Sequence, residues 1–342
     1  MPRFILAACT GRRKCRGASL GEVLQASAQL SALASQARAE LAAASDRFAI
    51  RRGETLFRQG MAADALYIVA SGQLEIAARI PGDTMAAVSL IGPGEVVGEF
   101  ALLDDGPRSA NVVALADGDM LRIPKGRFLA LLADGKPWTL ELIDMLRGLV
   151  ALRTRATLAR IAAAARYDLP SLRSPAVRGG AGPGGDAAAL FPALGRLAAL
   201  GDDGAALLVA EGSCLAIPRG TLLTEAGAPP DGLTLVLRGA LRSVLPRREG
   251  GEQVMVHGPG EMAGLVGLFD GAPQPLGLEA AEAAVVLHLP RARFETLRCS
   301  PAPHALALFA AAGRQLVRDQ RRANRHLGRA ASLSLFNRQG AA

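Results

Sequence analysis

The chain has 342 residues, half of them hydrophobic and a fifth charged, which is enough for two ordinary domains with cores of their own. No apolar run approaches the ~20 residues needed to span a bilayer, so a membrane-spanning segment is not expected. The formal charge of +8 sits at the ends: residues 1–20 carry +5 and residues 314–338 carry +6, leaving −3 for the rest. The cysteines Cys9, Cys15, Cys214 and Cys299 are scattered, without a CxxC pair or a neighbouring histidine. That pattern argues against a disulfide framework or a zinc site and for a reducing cytoplasm.

Residues 1–18 read as a basic, disordered start. Leu6-Ala7-Ala8-Cys9 has the form of a bacterial lipoprotein cleavage box, but the apolar stretch before it is only Phe4 to Ala8. A signal peptide needs ~7–15 apolar residues. Residues 19–45 are rich in Ala and Leu at helical spacing and predict a helix or a broken pair of helices. From Phe48 to about Phe128 short β-type runs such as Leu66-Tyr67-Ile68-Val69, Leu74-Glu75-Ile76 and Val112-Val113 alternate with Gly, Pro and Asp turns. This is the texture of an antiparallel sandwich or barrel.

Helical texture returns at 137–166. Leu142, Met145, Leu149, Leu152, Ala156, Ala159 and Ala163 form a narrow stripe flanked by Arg147, Arg153, Arg155 and Arg160. Such a seam predicts helix pairing, and a homodimer through this helix is expected. Residues 168–186 are a Pro/Gly linker, in which Gly180, Gly182 and Gly185 imitate a dinucleotide fingerprint; Pro183 interrupts it and no strand is predicted before it.

Beyond the linker the chain repeats itself. IGPGEVVGEFALLDDGP (91–107) aligns with HGPGEMAGLVGLFDGAP (257–273) at an offset of 166. Gly53, Gly60, Asp64 and Gly72 fall on Gly220, Gly227, Asp231 and Gly239 at an offset of 167. Each copy ends in a helix, the second expected from about His304 to Leu333. Two long copies make a tandem duplication rather than a solenoid.

Within the first copy, a short helix beginning at Gly98 would present free backbone N–H groups to an anion. Arg108 can give a phosphate paired charge-assisted hydrogen bonds, and Ser109 adds a hydroxyl. Glu99 would repel a phosphate, so a sugar hydroxyl is its natural partner, because an ionised carboxylate only accepts. Together these residues suit a compact nucleotide.

The stretch GEFALLDDGPRSANVVA, with Gly53, Gly60, Gly72, Gly94 and Tyr67-Ile68-Val69, resembles the phosphate-binding cassette of cyclic nucleotide-binding domains. These occur in catabolite activator proteins and in regulatory subunits of cAMP-dependent kinase. The resemblance implies an α+β, mainly β fold: two tandem β-roll domains (jelly-roll-like antiparallel barrels), each flanked by helices and followed by a long C-terminal helix. It implies that Glu99 bonds the ribose 2′-hydroxyl, that Arg108 and Ser109 hold the cyclic phosphate, and that the backbone of Gly98, Phe100 and Ala101 contributes. It also implies adenine contact by a threonine on the long helix, a place that Thr154 reaches. The ligand is then cAMP in preference to cGMP, with no other cofactor and no metal.

In the second copy Leu265 stands for Glu99, Gln274 for Arg108 and Pro275 for Ser109. The carboxylate, guanidinium and hydroxyl are all lost, so this copy reads as degenerate. The domains are then 19–167 and 187–335, with the linker between them and a tail at 336–342. With the histidines dispersed and no nucleophile–base pair or metal spacing, the expected function is a non-enzymatic cyclic nucleotide sensor. It binds one ligand per chain, in the first domain, and signals through the helix at 137–166 to the second domain or an unknown protein effector. The alternatives are a transcription regulator of the catabolite activator type and a kinase regulatory subunit-like protein. The first lacks a recognisable helix-turn-helix, so no specific DNA binding is expected. The second has only a faint inhibitor-like Cys15-Arg16-Gly17-Ala18-Ser19. The arginines Arg314, Arg318, Arg321, Arg322, Arg325 and Arg329 read as a solvated helix face.

Overall fold

A computed structural model of the chain describes residues 20–27, 29–31, 33–80, 84–104, 106–133, 136–164, 182–183, 185–246 and 251–339. Residues 1–18, most of the linker 168–186 and the end of the tail at 340–342 lie outside the described residues. The chain divides into two compact units, one of residues 1–146 with 331–342 and the other of residues 147–330.

In the first unit the broken helical start is two helices, Leu20–Ala26 and Ser35–Ala43. The segment between them is tied to the barrel: Ser27 Oγ donates to the Gly94 carbonyl, and the Val96 N–H donates to Gln29 Oε1 at 3.1 Å. The barrel is two four-stranded antiparallel sheets. One orders Asp46–Ile50, Gly118–Pro124, Ala65–Val69 and Val96–Val97. The other orders Thr55–Phe57, Asn111–Ala114, Leu74–Ile80 and Thr84–Ile91. Their facing sides bury Ile50, Phe57, Tyr67, Leu74, Ile91, Val112 and Met120. Alternation explains the inward set on Asn111–Ala114, where Val112 and Ala114 are buried. Ala65–Val69 is buried at every residue, as its unbroken apolar run requires.

The second unit repeats this frame in the same order. Met262–Ala263, Gly232–Arg238, Ala284–Pro290 and Ser213–Ile217 form one sheet, extended by the two-residue strand Gly182–Pro183. Leu222–Thr224, Gly277–Ala280, Leu241–Pro246 and Gly251–His257 form the other. Gly182 and Pro183 pair with Ala216 and Leu215, so this end of the expected linker is part of a sheet.

The first long helix runs Pro137–Ala164. Its latter half, from Arg147, is built into the second unit. Leu158 and Ile161 pack with Leu245, Val254, Met255, Ala323 and Leu327. Arg155 makes a two-pronged pair with Asp270, whose side chain is fully buried, at 2.5 and 2.8 Å. Gln320 donates to the Thr157 hydroxyl at 3.0 Å. Within the second unit this helix pairs with the second long helix, Pro303–Gln339, through Thr157, Leu158 and Ile161, none of which belongs to the expected seam. Of the seam residues, Leu142 and Leu149 are buried within the single chain, whereas Leu152 is 55% exposed.

The arginines of Pro303–Gln339 do not form a uniformly solvated face. Glu261, buried at a barrel turn, accepts from Arg196 at 2.8 Å, Arg318 at 3.3 Å and Arg322 at 2.9 Å. Sequence spacing alone could not show that this barrel carboxylate draws them inward. Two further buried groups lie beside this cluster. Burial, with the Arg322 charge, pushes the His257 imidazole down to about 4, and burial pushes the Asp319 carboxyl up to about 7.

These two groups affect stability in opposite senses as pH falls. The unfolded chain takes up a proton at His257 before the folded chain does, so that group removes stability between about pH 6.5 and pH 4. Folded Asp319 binds its proton first, so it adds stability as pH falls from about 7 towards 3.8 and loses it as pH rises. Relative to wild type, Asp319→Asn should lose melting temperature on acidification from pH 7 to pH 4, and His257→Leu should gain. Each effect is a few kcal/mol. Thermal unfolding of the three proteins across that range measures both.

Candidate functional site

The first barrel brings the cassette together around one buried guanidinium. The side chain of Arg108 is 2% exposed. Its backbone is fixed by paired bonds to the neighbouring turn, Arg108 N–H to Met61 O at 2.8 Å and Gly60 N–H to Arg108 O at 2.9 Å. Its terminal nitrogens donate to Asp64 Oδ1 at 3.0 Å, the Ala65 carbonyl at 2.8 Å and the Gly98 carbonyl at 3.3 Å. The guanidinium lies over the Phe57 ring at 4.1 Å and near the Tyr67 ring at 5.5 Å. Its Nε–H is buried without an acceptor among the described residues.

Asp64 also accepts from Arg122 at 2.9 Å. Burial pushes the Asp64 carboxyl up, but the Arg122 and Arg108 guanidiniums outweigh it and hold the group below the ordinary carboxylate range. Burial, with the Asp64 charge, pushes the Tyr67 phenol up, so the phenol stays neutral.

Gly98 has φ +87°, and a Cβ there would lie 2.5 Å from Arg108 Nη1 and 3.2 Å from the Ala65 carbonyl. Only glycine lets the guanidinium close on this backbone. The helix that follows is short, as expected, but starts later: it is Phe100–Leu103, with Glu99 rather than Gly98 at its cap. Gly98 is in the left-handed region and so cannot open a right-handed helix. Glu99 is buried, Phe100 and Ser109 are half-buried, and Ala101 lies within the short helix.

Thr154 belongs to the part of the chain counted with the second unit. It is buried, and its hydroxyl donates to the Val150 carbonyl at 2.8 Å. The sequence pointed to Arg108 and Glu99 but not to Asp64, Phe57, Tyr67 or Arg122 as the groups around the guanidinium. Asp64 had left a signal, since it recurs with the turn glycines in both copies.

The second barrel preserves the frame without the charge. Gln274 pairs its backbone with Ala228 and Gly227 just as Arg108 does with Met61 and Gly60. Its side-chain amide donates to the Gly264 carbonyl at 2.9 Å, the counterpart of the Gly98 carbonyl. Leu265 is buried where Glu99 stands. The offset of 166 therefore matches equivalent positions in space.

The same two-sheet barrel and cassette turn recur twice along the chain, the charged cassette only in the first. The family model of the cyclic nucleotide-binding domain matches residues 47–134 and again residues 214–298, about half of the chain. The chain belongs to the cyclic nucleotide-binding domain family, with two such domains in tandem. The cyclic AMP receptor protein of Thermus thermophilus is 41% identical over 81 residues, covering 24% of this chain and 38% of that protein. The cAMP-dependent protein kinase regulatory subunit of Aspergillus fumigatus is 35% identical over 130 residues, covering 38% of this chain and 30% of that protein. The chain thus spans well under two thirds of these relatives. The regulatory domain of Toxoplasma gondii PKA, solved with cAMP, aligns over 84% of this chain and 93% of its own at 19% identity and a TM-score of 0.32. No helix among the described residues is long and apolar enough to cross a membrane.

Two glycines with the same backbone separate strain from crowding. Gly60 has φ +86° with open space at its Cβ position, whereas the Cβ at Gly98 would strike Arg108. Gly60→Ala should cost about 1 kcal/mol, the left-handed penalty alone. Gly98→Ala should cost a further 1–3 kcal/mol or so from overpacking. Chemical denaturation of both variants checks the difference.

Proposed function

We propose that this protein is a non-enzymatic cyclic nucleotide sensor that binds one ligand per chain, in its first domain, and takes cAMP in preference to cGMP. The observation that carries the reading is Arg108: a buried guanidinium, neutralised by Asp64 and fixed on three sides, whose Nε–H has no acceptor among the described residues. A buried unsatisfied donor costs about 1–3 kcal/mol, which a phosphate oxygen would recover. Ser109 adds a hydroxyl, and the backbone of Gly98, Phe100 and Ala101 adds N–H donors. Glu99 takes the ribose 2′-hydroxyl. The Thr154 hydroxyl, donating to Val150, still has a lone pair for the amino group of adenine. The names of two relatives, a cyclic AMP receptor and a cAMP-dependent kinase subunit, support cAMP.

The signal leaves through the helix expected at 137–166, because its latter half is part of the core of the second unit. A ligand shifts this helix only by its differential affinity for two positions. The output is the second domain or a protein effector rather than a DNA operator, and the free thiols Cys214 and Cys299 suit the cytoplasm. The domain limits 19–167 and 187–335, joined by 168–186, are part of the proposal. So is a homodimer, which now rests on the exposed Leu152 side of the helix.

Calorimetry with cAMP should give one site per chain. Arg108→Ala should weaken binding by a few kcal/mol, and Gln274→Ala should leave it unchanged. Two sites per chain, or an unaffected Arg108→Ala variant, would refute the assignment. Any DNA affinity should fall steeply with salt and show no sequence preference, as filter binding between 50 and 200 mM salt would reveal.

A further inference from the structure

In both barrels a carboxylate closes the turn before the two-residue strand. In the first, the Gly92 N–H donates to Glu95 Oε2 at 2.6 Å, and no guanidinium reaches that carboxylate among the described residues. In the second, the Gly258 N–H donates to Glu261 Oε2 at 3.4 Å, and three arginines are added. Arg196 Nη1 lies 2.8 Å from Glu261 Oε1, Arg318 Nη1 3.3 Å and Arg322 Nη2 2.9 Å. Arg196 comes from the 3₁₀ helix Gly195–Leu200, and the other two come from Pro303–Gln339. The first copy shows that the turn itself needs none of them.

The arginines exceed what Glu261 can use. A carboxylate oxygen has about two lone-pair positions, and Oε1 faces three guanidiniums. Three positive charges around one buried carboxylate leave two unbalanced. Asp319, beside Arg322, offsets only part of this, because burial pushes its carboxyl up to about 7. Burial, with the Arg196 and Arg322 charges, holds the Arg318 guanidinium below its ordinary range despite Glu261. Donors are also left over. The Arg196 side chain is 52% exposed and that of Arg318 34%, and among the described residues each donates through Nη1 alone. Neither Glu261 nor any of its three arginines lines the space beside Gly264, Leu265 and Gln274.

Planar guanidiniums match the oxygens of a phosphate-type anion, and two surplus charges match a dianion. We propose that Arg196, Arg318 and Arg322 form a binding site in the second unit for a small phosphate-type oxyanion carrying at least two negative charges. Glu261 holds the three guanidiniums together, and the anion takes the donors that Arg196 and Arg318 leave to solvent. The site uses no residue of the first-domain cassette and stands independently of cyclic nucleotide binding there.

Calorimetry on the full chain tests this, with pyrophosphate as the probe and chloride keeping the ionic strength constant. The wild type should bind pyrophosphate saturably, with saturating cAMP present or absent. Arg196→Gln and Arg318→Gln each leave Glu261 two arginines, and each should weaken that binding about tenfold or more while the far-UV circular dichroism stays unchanged. Arg219→Gln removes the same charge from an exposed barrel turn and should bind as the wild type does. Phosphoserine is titrated in parallel. The tighter probe tells a phosphorylated side chain from a free inorganic anion as the source, and binding of neither overturns the proposal. Equal weakening in Arg219→Gln overturns it too, since net charge alone would then explain the binding. So does binding that survives Arg196→Gln and Arg318→Gln but is abolished by cAMP, because the anion would then occupy the first-domain cassette. Absence of cAMP binding to the wild type, with the pyrophosphate response intact, refutes only the first-domain reading.

Discussion

The first domain depends on holding one positive charge in a nearly dry place. A guanidinium taken out of water is costly unless a counter-charge and hydrogen-bond acceptors replace the solvent. Asp64 supplies the counter-charge, two main-chain carbonyls take N–H groups, and the faces of Phe57 and Tyr67 cover the carbon. Each of these restricts another residue. The carbonyl approach demands glycine at 98, the shared carboxylate draws in Arg122, and the ring stack fixes Phe57 inside the barrel. What remains is a preorganised donor, and preorganisation is what makes an anion site effective.

The second domain shows what the same frame becomes without that charge. Gln274 keeps the backbone pairing and the bond to the cassette carbonyl, so the turn survives. With no guanidinium to serve, the glutamate position becomes Leu265, and Asp231 has no guanidinium partner among the described residues. Charge is used elsewhere: Glu261 gathers Arg196, Arg318 and Arg322 and clamps a helix to the barrel. In one copy the buried guanidinium keeps a donor unpaired among the described residues, and in the other the buried carboxylate Glu261 is satisfied by the chain itself.

Much of this was legible in the sequence, and the reasons are local. Alternation and turn residues revealed the strands, and the constant offset revealed the second barrel, because both are fixed within a few residues of chain. Arg108, Glu99 and Gly98 were legible because the cassette is contiguous. Asp64, Phe57 and Tyr67 approach Arg108 from 41 to 51 residues away, and nothing in their own neighbourhoods marks that meeting. The seam at Leu142–Leu152 gave a helix face but not its partner, and the helix pairing inside the chain uses Leu158 and Ile161, which the stripe did not include. Arg318 and Arg322 misled for a similar reason: helical spacing gives a face, and only the distant Glu261 decides that the face turns inward.

Leu158 lies on the helix that follows the first barrel, yet it packs in the core of the second unit. Any displacement of that helix therefore disturbs that core. A ligand can displace it only through a differential affinity for two positions, and the size of the shift cannot exceed that difference.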